Sequence, residues 1–261
     1  MTGAVPALRR RRDWGETAKP LVLRLGLLVL IIAAWQWVGD DGAPIRMPTF
    51  TRTVRSFWEM VVSGELPAAL LESNVALFWG YLLALSIAVP LGIAMGLVGI
   101  VRRVVSPYLL ILLSTPLIAV LPVLQTIFGL GLGTRIVVVF IFSFVYIAFN
   151  TMVGVLAVPA DLLEMSSSFC ATRRQRLLKV VLPHAFPAIM AGARIGLGRG
   201  VVGMVIAELF LVSSGLGSSL AFYMTRFDSG SVLAIALTMV LEGVVVIAVA
   251  RRIEAAFRPK W

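Results

Sequence analysis

Apolar residues run along this chain in long unbroken stretches separated by short polar ones. Six stretches approach or exceed the roughly 20 residues that a helix needs to cross a bilayer core of about 30 Å. They are Leu21 to Val38, Asn74 to Ile100, Pro107 to Phe128, Arg135 to Leu156, Ala188 to Val212 and Ser231 to Ala250. The pattern predicts an all-α integral membrane protein with six transmembrane helices. The organisation expected is a basic tail over 1–20, a first span over 21–38, an amphipathic connector over 39–73, a five-helix core over 74–250 with a long loop at 157–187, and a second tail over 251–261. The first span has the basic flank of a signal peptide, but it is long for one. Gly39-Asp40-Asp41 follows it instead of a small-x-small cleavage site, so the expectation is an uncleaved helix.

Composition agrees. The 261 residues are 59% hydrophobic and only 14% charged, with a mean hydropathy of +0.98. Soluble domains are nearer half apolar and a quarter charged. The net charge of +10 could suggest nucleic acid. The cations, however, flank apolar runs and form no stripe with interleaved aromatics, so the reading excludes it. Their placement orients the chain instead. With the N-terminus inside, the inner segments hold Arg9 to Arg12, Lys19, Arg102, Arg103, Arg173, Arg174, Arg176, Lys179, Arg251, Arg252, Arg258 and Lys260. The outer segments hold Arg46, Arg52, Arg55, Arg226 and, at a helix mouth, Arg135. The positive-inside rule then places both termini in the cytoplasm, for a multi-pass protein of the cytoplasmic (inner) membrane.

Two connections are long enough to carry structure. The outer one contains Val54, Phe57, Trp58, Val61 and Val62 at helical spacing, which predicts an amphipathic helix in the interface or against the bundle. The inner one, Ala157 to Pro187, far exceeds what two neighbouring helices need. Asp161 and Glu164 form a capping-box-like pair, with Leu162, Met165 and Phe169 on one face. A turn is expected at Cys170–Ala171. Thr172 and Gln175 form a second capping box before Leu177, Leu178, Val180, Val181 and Leu182, and Pro183 is expected to end that helix. On these residues alone the loop could equally be an amphipathic segment held on the headgroups by its four cations.

The spacing adds a resemblance. Glu164-Met165-Ser166, three residues, Cys170, nine residues and Val180-Val181-Leu182-Pro183 resembles the EAA loop of binding-protein-dependent ABC importer permeases. That pattern reads Glu-Ala-Ala, three residues, Gly, nine residues, Ile-x-Leu-Pro. The Glu, the Leu-Pro and the spacings match, while the two alanines and the glycine do not. Met47-Pro48, Gly64-Glu65-Leu66, Ser106-Pro107, Phe128-Gly129-Leu130-Gly131, Ala207-Glu208 and Ser214-Gly215-Leu216-Gly217 are similar to the sulfonate, nitrate and taurine branch. The resemblance spans residues 45 to 255. It implies a MetI-like permease fold that moves a small organic solute or anion by alternating access.

It also implies partners: separate ABC ATPase subunits that bind ATP and Mg, a second permease copy (a homodimer by default, a heterodimer in view of the altered loop), and an extracytoplasmic solute-binding protein. The segment from about Leu162 to Ala171 would be the coupling helix. Glu164, Met165, Phe169, Cys170, Thr172, Leu182 and Pro183 would be the ATPase-coupling set. Without glycine at Cys170, a left-handed turn costs about 1–2 kcal/mol. The turn is therefore expected to shift to Ala171–Thr172 or to lose its left-handed residue.

Ionisable groups inside spans mark function or interhelical pairing. Arg194, Arg199, Gln125, Tyr146, Asn150 and Pro116 are the candidate solute path or gate. Pro90, Pro116 and Pro122 suggest broken or kinked helices. Arg199 and Glu242 fall at matching depths and are expected to pair, leaving Arg194 as the arginine on the path. Gly92, Gly96 and Gly99 permit close helix approach. Cys170 and His184 are the lone cysteine and histidine, which disfavours a disulfide or a metal site. No catalytic set and no Walker-type loop is legible, and no cofactor is expected in this chain. A passive channel or scaffold, or a membrane-embedded enzyme, remains the alternative to a coupled importer.

Overall fold

The computed structural model describes residues 14–39, 47–211 and 214–257. Arg9 to Arg12, Asp40, Asp41, Pro44, Arg46, Arg258, Lys260 and the side chain of Lys19 lie outside the described residues. The helices are α1 (Trp14–Val38), α2 (Phe50–Val62), α3 (Glu65–Leu97), α4 (Gly99–Ser114), α5 (Leu117–Phe128), α6 (Leu132–Leu156), α7 (Ala160–Ser168), α8 (Arg173–Arg176), α9 (Leu182–Leu211), α10 (Leu216–Thr225) and α11 (Ser229–Phe257). The π-helical turn Leu177–Val181 joins α8 to α9. Helices α3, α6 and α11, and the run from α8 through α9, are each long and apolar enough to cross a membrane.

The run from Pro107 to Phe128 is not one straight span. It breaks between α4 and α5 with a bend of 102°. Thr115 is extended (φ −73, ψ 130) as the residue before a proline prefers, and Pro116 caps α5 with no N–H to continue the ladder. Taken together, α4 and α5 make a fifth candidate crossing. Pro90, Pro107 and Pro122, by contrast, lie within helices. The apolar part of α1, Val22–Val38, is shorter than the four long crossings.

The connector after α1 is more structured than its sequence suggested. Thr49 caps α2, its hydroxyl accepting from the Arg52 N–H at 3.2 Å. Gly64, at φ +81, turns the chain into α3, which therefore begins nine residues before the predicted Asn74. Met60 and Leu66 pack with Leu216, Leu220 and Ile235, so α2 lies against the bundle.

Helix α6 is the centre, with α3 on one side and α9 on the other. Small residues make this possible. A Cβ on Gly80, Gly92 or Gly96 would lie 2.6, 2.6 or 2.5 Å from atoms of α6. On α9, Gly192, Gly196 and Gly200 meet Asn150, Ile147 and Ser143 in the same way. Without a hydrophobic drive between helices in lipid, close backbone approach supplies the contact energy. Gly99 opens α4 instead, with open space around it. Gly92→Leu should force α3 off α6, because overpacking by even a few methylenes costs about 1–3 kcal/mol. A lower thermal midpoint of the purified variant would register it, and an unchanged midpoint would contradict this packing.

Candidate functional site

The loop after α6 folds into a compact helical hairpin. Helix α7 starts earlier than its sequence signals suggested. Pro159 is its N-cap, with the Pro159 carbonyl accepting from the Leu162 N–H at 3.2 Å. Asp161 therefore sits in the first turn, where its charge favours the helix dipole. The expected Asp161–Glu164 capping box is not formed.

The C-terminus of α7 corrects a second expectation. Cys170 itself takes the left-handed conformation, at φ +52. The Ala171 N–H donates to the Ser166 carbonyl at 3.0 Å and the Cys170 N–H to the Ser167 carbonyl at 2.9 Å, the paired bonds of a Schellman ending. Two satisfied carbonyls offset the steric cost of a non-glycine residue, so the turn stays in place. Thr172 then makes the predicted capping box. Its N–H donates to Gln175 Oε1 at 2.8 Å, and its hydroxyl accepts from the Gln175 N–H at 3.3 Å.

Pro183 does not end the second helix. The chain is wound as a π-turn over Leu177–Val181, with the Leu182 N–H reaching back to the Leu177 carbonyl. The wider turn accommodates the donor that Pro183 lacks, and α9 continues past both Pro183 and Pro187.

Leu163 anchors the hairpin on Val155, Val158, Val181 and Ala185. Arg176 Nη2 donates to Ser167 Oγ at 2.8 Å, tying α7 to α8. Apolar side chains nevertheless stand outward, Met165 at 51% exposed and Phe169 at 79%, among the exposed charges Asp161, Glu164, Arg173, Arg174 and Lys179. Beside them Leu162, Met165, Lys179, Val180 and Pro183 border a cleft of about 560 Å³. Pro183 and its neighbour Leu182 are half-buried.

Inside the bundle the polar groups pair differently from expectation. Arg199 does not meet Glu242. Its guanidinium lies 4.8 Å from the centre of the Tyr146 ring, while Glu242 Oε1 accepts from Asn74 Nδ2 at 2.7 Å. The two residues lie on helices α9 and α11, but Arg199 faces α6 and Glu242 faces α3. Matching depths had said nothing about rotation about the helix axes.

Arg194 donates to Glu254, so its charge is balanced within the chain. It borders a cavity of about 470 Å³ that is otherwise mostly apolar, with Tyr81, Leu85, Leu197 and Ile253 in its wall. Glu254 reaches it because no breaker follows Ala250, and α11 runs on into the expected C-terminal tail as far as Phe257.

Tyr146 and Asn150 share a face of α6 at i and i+4, where Asn150 Nδ2 donates to the Tyr146 carbonyl at 2.7 Å. Phe142, one turn earlier, packs with Leu121 and Leu124 of α5. Gln125 follows Leu124 on that helix and is half-buried. Arg199, Tyr146 and Asn150 thus stand along one face, with the exposed Arg199 cation facing no carboxylate among the described residues.

One constellation had no assigned role in the sequence. Glu208, fully buried, accepts from Arg135 Nη1 at 3.5 Å and from the Gly217 N–H at 3.1 Å. The Leu216 N–H donates to Ser73 Oγ at 3.2 Å, and the Gly215 N–H to Glu72 Oε2 at 3.0 Å. The start of α10 is thereby clamped to α3, α6 and α9. A Cβ on Gly215 or Gly217 would lie 2.5 or 2.4 Å from Glu208. The Ala207-Glu208 and Ser214-Gly215-Leu216-Gly217 stretches are two halves of this one clamp. Among the described residues, no group of three or more metal-ligating side chains is assembled.

Comparison with known proteins places this arrangement. The chain is 30% identical over 252 residues to the taurine transport system permease protein TauC of Escherichia coli (strain K12), covering 92% of this chain and 87% of that one. It is 34% identical over 196 residues to the putative aliphatic sulfonates transport permease protein SsuC of Bacillus subtilis (strain 168), covering 74% and 71%. Among solved structures, a chain of the MetNI methionine ABC transporter in an inward-facing conformation has the same fold, with a TM-score of 0.60 at 24% identity over 80% of this chain and 98% of that one. Residues 88–259 match the family described as binding-protein-dependent transport system inner membrane component, and the chain belongs to that family of ABC transport permeases.

Proposed function

We propose that this permease forms half of an importer's membrane channel in the cytoplasmic membrane, and that it moves a small organic solute or anion bearing a group such as the sulfonate of an alkanesulfonate or of taurine. The observation that carries the coupling half is the hairpin after α6. It is rigidly capped and anchored, yet presents Met165 and Phe169 outward beside a cleft. Burial of such residues is worth about 1.5–3 kcal/mol each, so an exposed pair at i and i+4 suits a helix-in-groove contact. A separate ATP-hydrolysing subunit is the partner whose groove it would fill. ATP and Mg belong to that subunit, and this chain acts without a cofactor of its own.

In this reading α1 and the α4–α5 pair complete six crossings, both termini are cytoplasmic, α7 faces the cytoplasm, and α10 faces outward towards a solute-binding protein. Two permease copies match two ATPases by twofold symmetry.

The anion assignment rests on Arg199. Its cation is matched by an aromatic face and, among the described residues, by no carboxylate, with Tyr146 and Asn150 alongside. The similarity to taurine and aliphatic sulfonate transport permeases points to the same chemistry. Arg194, neutralised by Glu254, takes the structural part. Arg199→Gln should lower uptake of taurine or an alkanesulfonate into ATP-loaded vesicles by about tenfold or more, from losing one charge-assisted contact of roughly 1.5–3 kcal/mol. Arg194→Gln with Glu254→Gln should keep most uptake. Equal losses in both proteins would remove Arg199 from the path.

A further inference from the structure

Between α2, α3 and α11 lies a cavity of about 360 Å³ that the transport reading does not use. Its walls are apolar, with Phe57 and Val61 from α2, Leu66 and Leu70 from α3, and Leu241 and Val245 from α11. Glu242 lines it. This residue is only 8% exposed, and its two oxygens differ. Oε1 accepts from Asn74, whereas Oε2 is buried with no hydrogen-bond partner.

The neighbours cannot supply the missing donor. Asn74 Nδ2 already serves Glu242 Oε1 and the Leu70 carbonyl, the latter at 2.8 Å. The Thr238 hydroxyl is spent on the Ala234 carbonyl at 2.8 Å. The charge that bears on Glu242 is Glu208, of the same sign, and Arg135 is committed to Glu208. A buried carboxylate without a cation costs several kcal/mol in a low-dielectric setting. An ionised Oε2 is therefore without a matching donor, and a cation that reaches it is stabilised there.

From this juxtaposition we propose that the cavity is a binding site for a primary ammonium group carried on an apolar body, with the ammonium on Glu242 Oε2 and the body against Phe57, Leu70 and Leu241. A metal ion does not fit, because a hard cation takes about six oxygens and the pocket offers one free. An ammonium brings the N–H donors that Oε2 lacks. The apolar walls then select an aliphatic neighbour over a hydrated ion. Leu241 and Val245 are exposed on the surface of α11, so the mouth opens on the face of a membrane-crossing helix. A free alkylamine and the ethanolamine headgroup of a phospholipid share this chemistry.

The test is thermal unfolding of the purified full-length chain with n-octylamine or, as the uncharged match, n-octanol. Wild type should gain several degrees with octylamine and little with octanol. Glu242→Gln, which keeps the shape and the contact to Asn74, should lose the difference. Leu241→Trp, which narrows the mouth and leaves the carboxylate, should lose it as well and serves if the Gln variant does not fold. Lipid discs with and without phosphatidylethanolamine separate the sources. A headgroup-dependent rise in wild type assigns the lipid, and a rise with octylamine alone assigns a free amine. Equal responses of wild type and Glu242→Gln, or of wild type to amine and alcohol, overturn the site.

Discussion

Replacing Glu208 by alanine is expected to abolish most recovery of folded protein, and Glu208→Gln to preserve part of it. Glu208 has no exposed surface, and its carboxylate holds both Arg135 and the amide of Gly217. Truncation strands a 4%-exposed guanidinium inside the bundle, which costs about 3–5 kcal/mol. It also unfastens the start of α10. Glutamine still accepts from Gly217 and keeps α10 fastened, although it too leaves Arg135 without its carboxylate. The thermal midpoint and monodisperse yield of the two variants report this directly. An alanine variant with wild-type yield and midpoint would show that the clamp is dispensable.

A second large effect is expected at the hairpin. Phe169→Asp and Glu164→Lys should each reduce ATP-driven uptake by about tenfold or more while leaving the chain folded. Phe169 is almost wholly exposed, so changing it removes nothing from this chain's own core. A charge placed on a helix-in-groove anchor forfeits the apolar burial and adds a desolvation penalty. Glu164 stands near Arg173, Arg174, Arg176 and Lys179 in sequence, and reversing it leaves Asp161 as the loop's one acidic residue against five cations. Uptake at the wild-type level in both variants, with protein amounts matched, would separate the hairpin from coupling.

The hydropathy of the chain carries the crossings well. The α6 run coincides closely with Arg135 to Leu156, and α11 starts near the expected Ser231 but runs past Ala250 to Phe257, because continuous apolar sequence of that length has few other uses. The hairpin was legible because its cap residues sit at diagnostic spacing, as Thr172 and Gln175 do. Rotation was not legible. Hydropathy fixes the depth of Arg199 and Glu242 but not the phase of α9 and α11, so it could not separate the Tyr146 contact from the Asn74 contact. Breaks were read only in part. Pro116 breaks α4 from α5, yet Pro183 passes through a helix, because the local π-turn is a backbone solution without a composition of its own. The Cys170 ending is similar. A Schellman pair of hydrogen bonds held a residue that its side chain alone would have moved elsewhere. The α10 clamp joins Ser73, Arg135, Glu208 and Gly217 across four elements, and only the packed fold brings them together.

The central claim is that the hairpin formed by α7 and α8 docks an ATP-hydrolysing subunit. The direct measurement is mass spectrometry of the intact complex, purified from native membranes through a tag on this chain. Wild type is predicted to carry two permease chains with two ATPase subunits. Phe169→Asp is predicted to retain the permease pair and lose the ATPases. An ATPase retained at full occupancy in the variant, or none recovered with wild type, would contradict the account.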